Sequence, residues 1–265
     1  MSVRIGIIGG TGVYDPNILE NIRDEQIETE YGLTRVKIGE YKGKAIAFMA
    51  RHGEDHSVPP HLVNYRANIA GLQKLGVKSI FATAAVGSLN SAMEPENFVF
   101  VDQFLDFTKV RKNTFFEGGE KGVVHLDMTE PYCPELRKTL TQAAHTLGLT
   151  AHSTGTYVCA EGPRFETPAE IRMYRQLGGD LVGMTSVPEV VLAREAQMCY
   201  ATICMVTNFA AGISPNKLTH QEVVDVMSKN VINLRSLIMA AIDNLDENRT
   251  CLCHRSPADL SAVGD

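Results

Sequence analysis

Short apolar runs alternate with stretches of helical periodicity along nearly the whole chain, and that alternation restricts the fold more than any single motif. The strand candidates are Val3–Ile8, Val36–Ile38, Ala45–Ala50, Ser79–Thr83, Phe98–Val101, Thr156–Cys159, Asp180–Gly183 and Thr202–Thr207. Helices are predicted over His61–Leu75, Glu135–Leu147, Pro168–Leu177, Glu189–Met198 and His220–Leu245. In the last of these, Val223, Val224, Met227, Val231, Leu234, Ile238 and Ile242 recur at the spacing that puts apolar groups on one helical face. Such alternation predicts an α/β protein, its sheet mixed or mostly parallel, with helices on both faces.

Punctuation supports the same reading. Gly76, Gly148 and Gly178 follow predicted helices, where a left-handed cap is easiest, and Pro134, Pro168 and Pro188 stand at helix starts. Tyr41-Lys-Gly-Lys44 separates two short apolar runs and predicts a hairpin. The charged, glycine-bearing segment Phe107–Val124 reads as a long loop. No internal repeat or long linker divides the chain, so one domain is expected over residues 1–247 with a loosely packed tail over 248–265.

At 265 residues the chain can bury a substantial core. A net charge of −6 supplies no global positive field for nucleic acid or an anionic membrane, so an anionic substrate must be held by local groups. No run approaches the roughly 18 apolar residues of a membrane span, and the N-terminus opens on a strand rather than a signal peptide. A cytoplasmic enzyme is the expectation. Cysteines at 133, 159, 199, 204, 251 and 253 lack paired zinc-ligand spacing, and the first four sit in segments that read as core. Cys251-Leu-Cys253 beside His254 is either a redox pair or weak metal site, or an incidental part of a polar tail. No metal is expected.

Four strand ends carry candidate anion-binding groups. Gly9-Gly-Thr-Gly12 follows the first strand and either cradles an anion on backbone N–H groups, with the Thr11 hydroxyl, or simply turns the chain. It lacks the full glycine fingerprint of a dinucleotide fold and the Gly-Lys pair of a P-loop. Arg51 and His52 close Ala45–Ala50, where a guanidinium can fork onto phosphate oxygens. Ala84 and Ala85, in a small-residue run after Ser79–Thr83, offer either oxyanion-binding N–H groups or close packing. Thr185 lies between a strand and a helix N-terminus, beside Met184, and Glu189 in that helix's first turn suits the helix dipole. In open α/β sheets ligands bind outside the carboxyl ends of strands.

Glu166 and Asn208 speak to substrate. Converging in one pocket, a carboxylate acceptor and an amide suit a 6-oxopurine, whose N1 carries a hydrogen and whose O6 and N7 accept. Adenine has a lone pair at N1. Read separately, Glu166 is equally an acid at the start of the Pro168 helix, and Asn208 a turn residue.

With these segments assembled, the chain resembles the trimeric nucleoside phosphorylases, which include methylthioadenosine phosphorylases and 6-oxopurine nucleoside phosphorylases. The likeness runs from about Arg4 to Leu245. It rests on Gly9-Gly-Thr-Gly12, Arg51-His-Gly53, Asn64-Tyr-Arg-Ala-Asn68, Ala85-Val-Gly-Ser-Leu89, Glu161-Gly-Pro-Arg-Phe165 and Met184-Thr-Ser-Val-Pro-Glu-Val190. The resemblance implies a single-domain twisted mixed sheet, partly closed into a barrel, and a homotrimer with sites near subunit borders. It implies phosphorolysis of a purine ribonucleoside to free base and ribose 1-phosphate, with inorganic phosphate as co-substrate and no cofactor. Phosphate would be held by Thr11, Arg51, His52, the backbone of Ala84 and Ala85, and Thr185. Met184 would line the ribose, and Phe165, Phe209 and Ala210 the base. Glu166 and Asn208 would read the base edge, and His125 would reach into a neighbour's site.

Departures from the methylthioadenosine branch share one direction. Ala84 stands where that branch has threonine, Glu166 where it has serine, and Asn208 and Ala210 where it places aspartates. His220 replaces an apolar residue and resembles a 5′-hydroxyl-binding histidine. The resemblance therefore implies the 6-oxopurine branch, acting on inosine and guanosine. A 5′-methylthioinosine or 5′-methylthioadenosine phosphorylase is the nearest alternative, and a non-catalytic nucleoside sensor or a dinucleotide-dependent dehydrogenase the more distant ones.

Overall fold

Burial with a period of two decides the layers. In the strand β4 (Lys44–Ala50), Ile46 and Phe48 enter one core while Ala47 and Met49 enter another. In β1 (Ile5–Gly9), Ile5 and Ile7 face the side opposite Ile8. β11 (Cys199–Phe209) sends Cys199, Ala201, Ile203 and Met205 one way and Tyr200, Cys204 and Val206 the other. A sheet apolar on both faces must be covered on both. Helices α1 (Tyr65–Leu75) and α4 (Ser186–Glu195) cover one face through Ile69, Leu72, Val190 and Leu192. Helices α2 (Pro134–Thr146) and α5 (His220–Asp243) cover the other through Leu136, Leu140, Leu234 and Ile238.

The structure, a computed structural model, describes residues 2–10, 13, 18–53, 55, 57–213, 220–246 and 248–255, and only the backbone of 220–223. The remaining strands are β2 (Glu20–Thr29), β3 (Gly32–Tyr41), β5 (Ser79–Ser88), β6 (Phe98–Phe100), β7 (Gln103–Phe107), β8 (Ala151–His152), β9 (Thr156–Ala160) and β10 (Leu181–Gly183), with α3 over Pro168–Gln176. Among the described residues, eleven strands join one mixed sheet in the order β2-β3-β4-β1-β5-β10-β9-β7, and a branch β11-β6-β8 leaves it at β5. The sheet thus forks, and its ladders do not close into a ring. Central strands run parallel, β1 with β4 and β5, and β5 with β11.

The predicted hairpin is present: Tyr41 pairs with Lys44, and Lys42 and Gly43 both take positive φ (48° and 75°), as a tight two-residue turn requires. Asn64 caps α1 by accepting from the N–H of Ala67, and Gly76 ends it in the left-handed region. Among the described residues no helix is long and apolar enough to cross a membrane.

Two expectations change. β5 runs on through Ala84 and Ala85 to Ser88, so those alanines belong to a strand rather than to a loop. The segment expected to be a loose tail packs closely over its described part: Cys253 is buried in the core beneath α2 and α5, and Arg249 donates to the Ser79 hydroxyl (2.6 Å). Residues 256–265 lie outside the described set.

Candidate active site

The fork in the sheet creates the first half of the site. Along one edge β5 pairs with β11 from Ser79 to Ser88. Along the other it pairs with β1 only as far as Ala82, and with β10 only at Gly87 and Ser88. Between these partners its backbone is open. Thr83 presents its carbonyl there, accepting from Arg51 Nη1 (2.9 Å). Strand alternation turns the N–H of exposed Ala85, two residues on, toward the same gap, and that of buried Ala84 toward β11.

Arg51, at the end of β4, is aimed at this gap by a residue that sequence reasoning left on the helix dipole. Its Nε and Nη2 each donate at 2.7 Å to the two carboxylate oxygens of Glu189. The two side chains are 2% and 0% exposed, and the Tyr200 hydroxyl donates to the same carboxylate (2.7 Å). Burial works against the guanidinium charge, but the Glu189 carboxylate outweighs it and holds Arg51 firmly cationic. Glu189 and Thr83 occupy three of the five guanidinium N–H groups, which leaves one on each Nη for an anion. The neighbouring His52 is buried and donates from Nδ1 to the Val58 carbonyl (2.9 Å), which turns Nε2 outward from that contact.

Thr185 is buried at the N-cap of α4, and its N–H donates to the Tyr157 hydroxyl (3.2 Å). A Cβ on Gly183 would sit 2.0 Å from that hydroxyl, so only glycine lets the strand end pass Tyr157. Thr11, the fourth expected phosphate group, lies outside the described residues.

The base-reading candidates come from two loops that pack on each other. Gly212, four residues past Asn208, takes φ +78°, and a Cβ there would lie 2.8 Å from the Cβ of Pro168, two residues past Glu166. Close approach at Gly212 therefore holds the Asn208 and Glu166 segments together. Glu166 does not serve the helix that follows. Thr167 and Glu170 form a reciprocal capping box, and Arg164 engages Glu170, holding that carboxyl down at about 2. Glu166 is instead buried, and burial raises its carboxyl above the ordinary value of 4.5. Asn208 follows a register shift in β11; Thr207 Oγ1 donates to its Oδ1 (2.7 Å) and its Nδ2 donates to the Phe209 carbonyl (2.9 Å).

Around them, Phe165 is exposed, Phe209 half-buried and Ala210 buried beside Val158 and Val182. Met184 lies under Gly162, where a Cβ would meet its sulfur at 2.5 Å. His125 is exposed in the long segment after β7, and His220 opens α5 with its side chain outside the described set.

Arg111, which drew no attention in the sequence, ties these loops together. Its guanidinium is nearly sealed from solvent and donates to the carbonyls of Met184 and Val187 (both 2.7 Å) and Glu161 (2.8 Å). The long segment Phe107–Val124 thereby fastens the Glu161–Phe165 loop to the start of α4. A lone arginine in a charged loop gives no sequence signal for such a role.

The signature of the phosphorylase superfamily matches residues 4–243, and the chain belongs to that family. It is 61% identical over 251 residues to a probable 6-oxopurine nucleoside phosphorylase of Moorella thermoacetica, covering 95% of this chain and 96% of the relative. It is 55% identical over 255 residues to the 6-oxopurine nucleoside phosphorylase of Pyrococcus furiosus, covering 94% and 96%. Relatives named S-methyl-5′-thioadenosine phosphorylase match at lower identity. Among solved structures, the methylthioadenosine phosphorylase of Schistosoma mansoni in complex with adenine superposes with a TM-score of 0.90 at 34% identity, over 98% of this chain and 97% of that one.

Proposed function

We propose that this chain is a purine nucleoside phosphorylase of the 6-oxopurine type, converting inosine or guanosine and inorganic phosphate into free base and ribose 1-phosphate. Phosphate sits at the open edge of β5, held by Arg51, His52, the Ala85 N–H, Thr185 and Thr11. A phosphate oxygen attacks C1′ as the C1′–N9 bond breaks, and the bond's electrons leave with the purine. Asn208 hydrogen-bonds N7 and O6 to ease that charge outward, and a proton at N7 completes departure. Glu166 accepts from N1–H, and from the 2-amino group of guanine. Phosphate beneath C1′ stabilises the positive ribose electrostatically before bonding to it.

The observation that carries this reading is the buried Glu166 carboxyl, spared from helix capping by Thr167 and Glu170, in a loop clamped to the Asn208 segment. The names of relatives at 55–61% identity support the same substrate class. The deciding experiment is phosphorolysis of inosine, guanosine, adenosine and 5′-methylthioadenosine by one preparation. Inosine and guanosine should lead, because a site built on one hydrogen-bond pattern rejects an analogue lacking it by roughly 10⁴–10⁵-fold. Faster turnover of adenosine than of inosine would overturn the reading, and preference for 5′-methylthioinosine would move the chain to the neighbouring branch. The same proposal includes a cytoplasmic homotrimer. Exposed His125 and the exposed apolar Val110 and Val123 of the same segment support a subunit border there.

A further inference from the structure

Four cysteines that the sequence scatters meet at the end of the sheet remote from Asn208. Cys133 is the N-cap of α2, Cys199 opens β11, and Cys251 and Cys253 flank the start of a short 3-10 turn, Leu252–His254. Their sulfur atoms all lie within 4.8 Å of one another, with Cys199 and Cys251 at 3.4 Å, and none is bonded to another. Four zinc–sulfur bonds of ~2.3 Å in a tetrahedron place sulfurs roughly 3.8 Å apart, whereas a disulfide needs about 2.05 Å. We propose that Cys133, Cys199, Cys251 and Cys253 form a tetrathiolate site for a thiophilic divalent cation, zinc, which pins the C-terminal segment to the core.

The surroundings suit such a centre. Four thiolates and a dication leave a local charge of −2, which apolar walls alone do not tolerate. Arg249 Nη2 lies 3.8 Å from the Cys199 sulfur and His254 Nε2 3.5 Å from it, while His254 Nδ1 contacts the Gln197 carbonyl (3.3 Å). Among the described residues, the adjoining cavity of about 270 Å³ is lined by Arg4, Lys44, Lys78, Arg249 and His254. Donors such as the Arg249 guanidinium beside coordinated sulfur hold ligands in place and offset their charge. Backbone geometry is equally fixed: the Cys133 N–H donates to the Tyr200 carbonyl (2.8 Å) and the Cys199 N–H to Lys78 (2.9 Å). Three ligands are buried and Cys251 is half-buried, which closes the site to a fourth-position water and makes it structural. About nine residues of β11, roughly 30 Å of strand, separate Cys199 from Asn208, so the metal takes no part in the phosphorolysis proposed above.

The test is elemental analysis of the full-length protein, purified without chelator, together with thiol titration. One zinc per chain is expected. Cys251→Ser and Cys199→Ser should each lose the metal and lower the melting temperature while retaining nucleoside turnover, which reports that they fold. Cobalt loading should give the visible absorption of tetrahedral cobalt thiolate in the wild type and not in either variant. Metal-free protein that fails to take up zinc or cobalt after reduction overturns the site, as does metal binding that survives both substitutions. Disulfide-linked cysteines that resist metal even after reduction would assign the cluster to oxidative cross-linking instead.

Discussion

Glu189 is where structure and chemistry make the sharpest joint demand. Its carboxylate is fully buried and accepts from Arg51 twice and from the Tyr200 hydroxyl once, each at 2.7 Å. Glu189→Ala leaves a buried guanidinium and a buried phenol with nothing to meet them. Removing one partner of a buried ion pair costs about 3–5 kcal/mol, because the remaining charge is still desolvated. For a chain of this size each kcal/mol moves the melting temperature by roughly 2–4 °C, so a fall of about 6–20 °C is expected. Glu189→Gln keeps the shape and one acceptor oxygen, and should lose less than half as much.

Stability alone would not identify a positioning role. Freed from Glu189, Arg51 no longer aims its two remaining N–H groups at the β5 gap. Misplacing a charged ligand by about an ångström can cost as much as 10²-fold, so kcat/KM for phosphate should fall ten- to a hundredfold. The KM for inosine, measured at saturating phosphate, should change little. Steady-state kinetics with phosphate and inosine varied in turn, at a temperature where circular dichroism shows the variant folded, separates the two. An unchanged kcat/KM for phosphate in folded Glu189→Ala would refute the reasoning, as would a melting point within about one degree of the wild type.

Three more outcomes are expected. Asn208→Asp should raise adenosine turnover relative to inosine, since a protonated aspartate donates to N7 while its other oxygen accepts from the 6-amino group; an unchanged ratio refutes the assignment. Glu166→Gln should weaken inosine kcat/KM about ten- to a hundredfold, the range of a lost charged hydrogen bond, yet melt higher than wild type above neutral pH. The sign follows from the raised carboxyl: folding favours its protonated form, so its stabilisation is full below about 4.5 and lost as pH rises through the folded value. The KM for inosine should correspondingly rise, as pH falls, at a higher pH than an ordinary carboxylate would give, and a flat profile counts against Glu166. Arg111→Met strips donors from three loop carbonyls and should cost upwards of ~3 kcal/mol by denaturant titration while raising the nucleoside KM more than the phosphate KM.

What the sequence disclosed follows from which interactions are local. Apolar alternation exposed β1, β4 and β11, proline and glycine punctuation fixed α1, α2 and α3 to within a few residues, and the apolar stripe did the same for α5. β2 escaped because Glu20–Thr29 is an edge strand paired only to β3, with most of its side chains in solvent and little apolar pattern to read. Glu189 reads as a helix-start acid because its ion-pair partner, Arg51, lies 138 residues away in sequence, and nothing local distinguishes a carboxylate buried by tertiary packing from one facing water. The meeting of the four cysteines is illegible for the same reason: only Cys251 and Cys253 are near each other in sequence, and ligand-spacing rules see only neighbours.

The fork at β5 also explains why chemistry gathers where it does. A strand whose ladder is complete on both edges has no backbone group to spare. β5 keeps β11 throughout but exchanges β1 for β10 between Ala82 and Gly87, and the gap is as long as an oxyanion needs. The same exchange brings the end of β10, and with it Thr185 and Glu189, to within reach of the end of β4 and Arg51. Parallel pairing with β11 then carries Asn208 to Gly87, just past the gap, and a side chain on Gly87 would press the Asn208 amide at 3.3 Å. The groups proposed for phosphate and for the base are therefore set by one register, and a substitution such as Gly87→Val, which shifts that register, should impair the use of both substrates together.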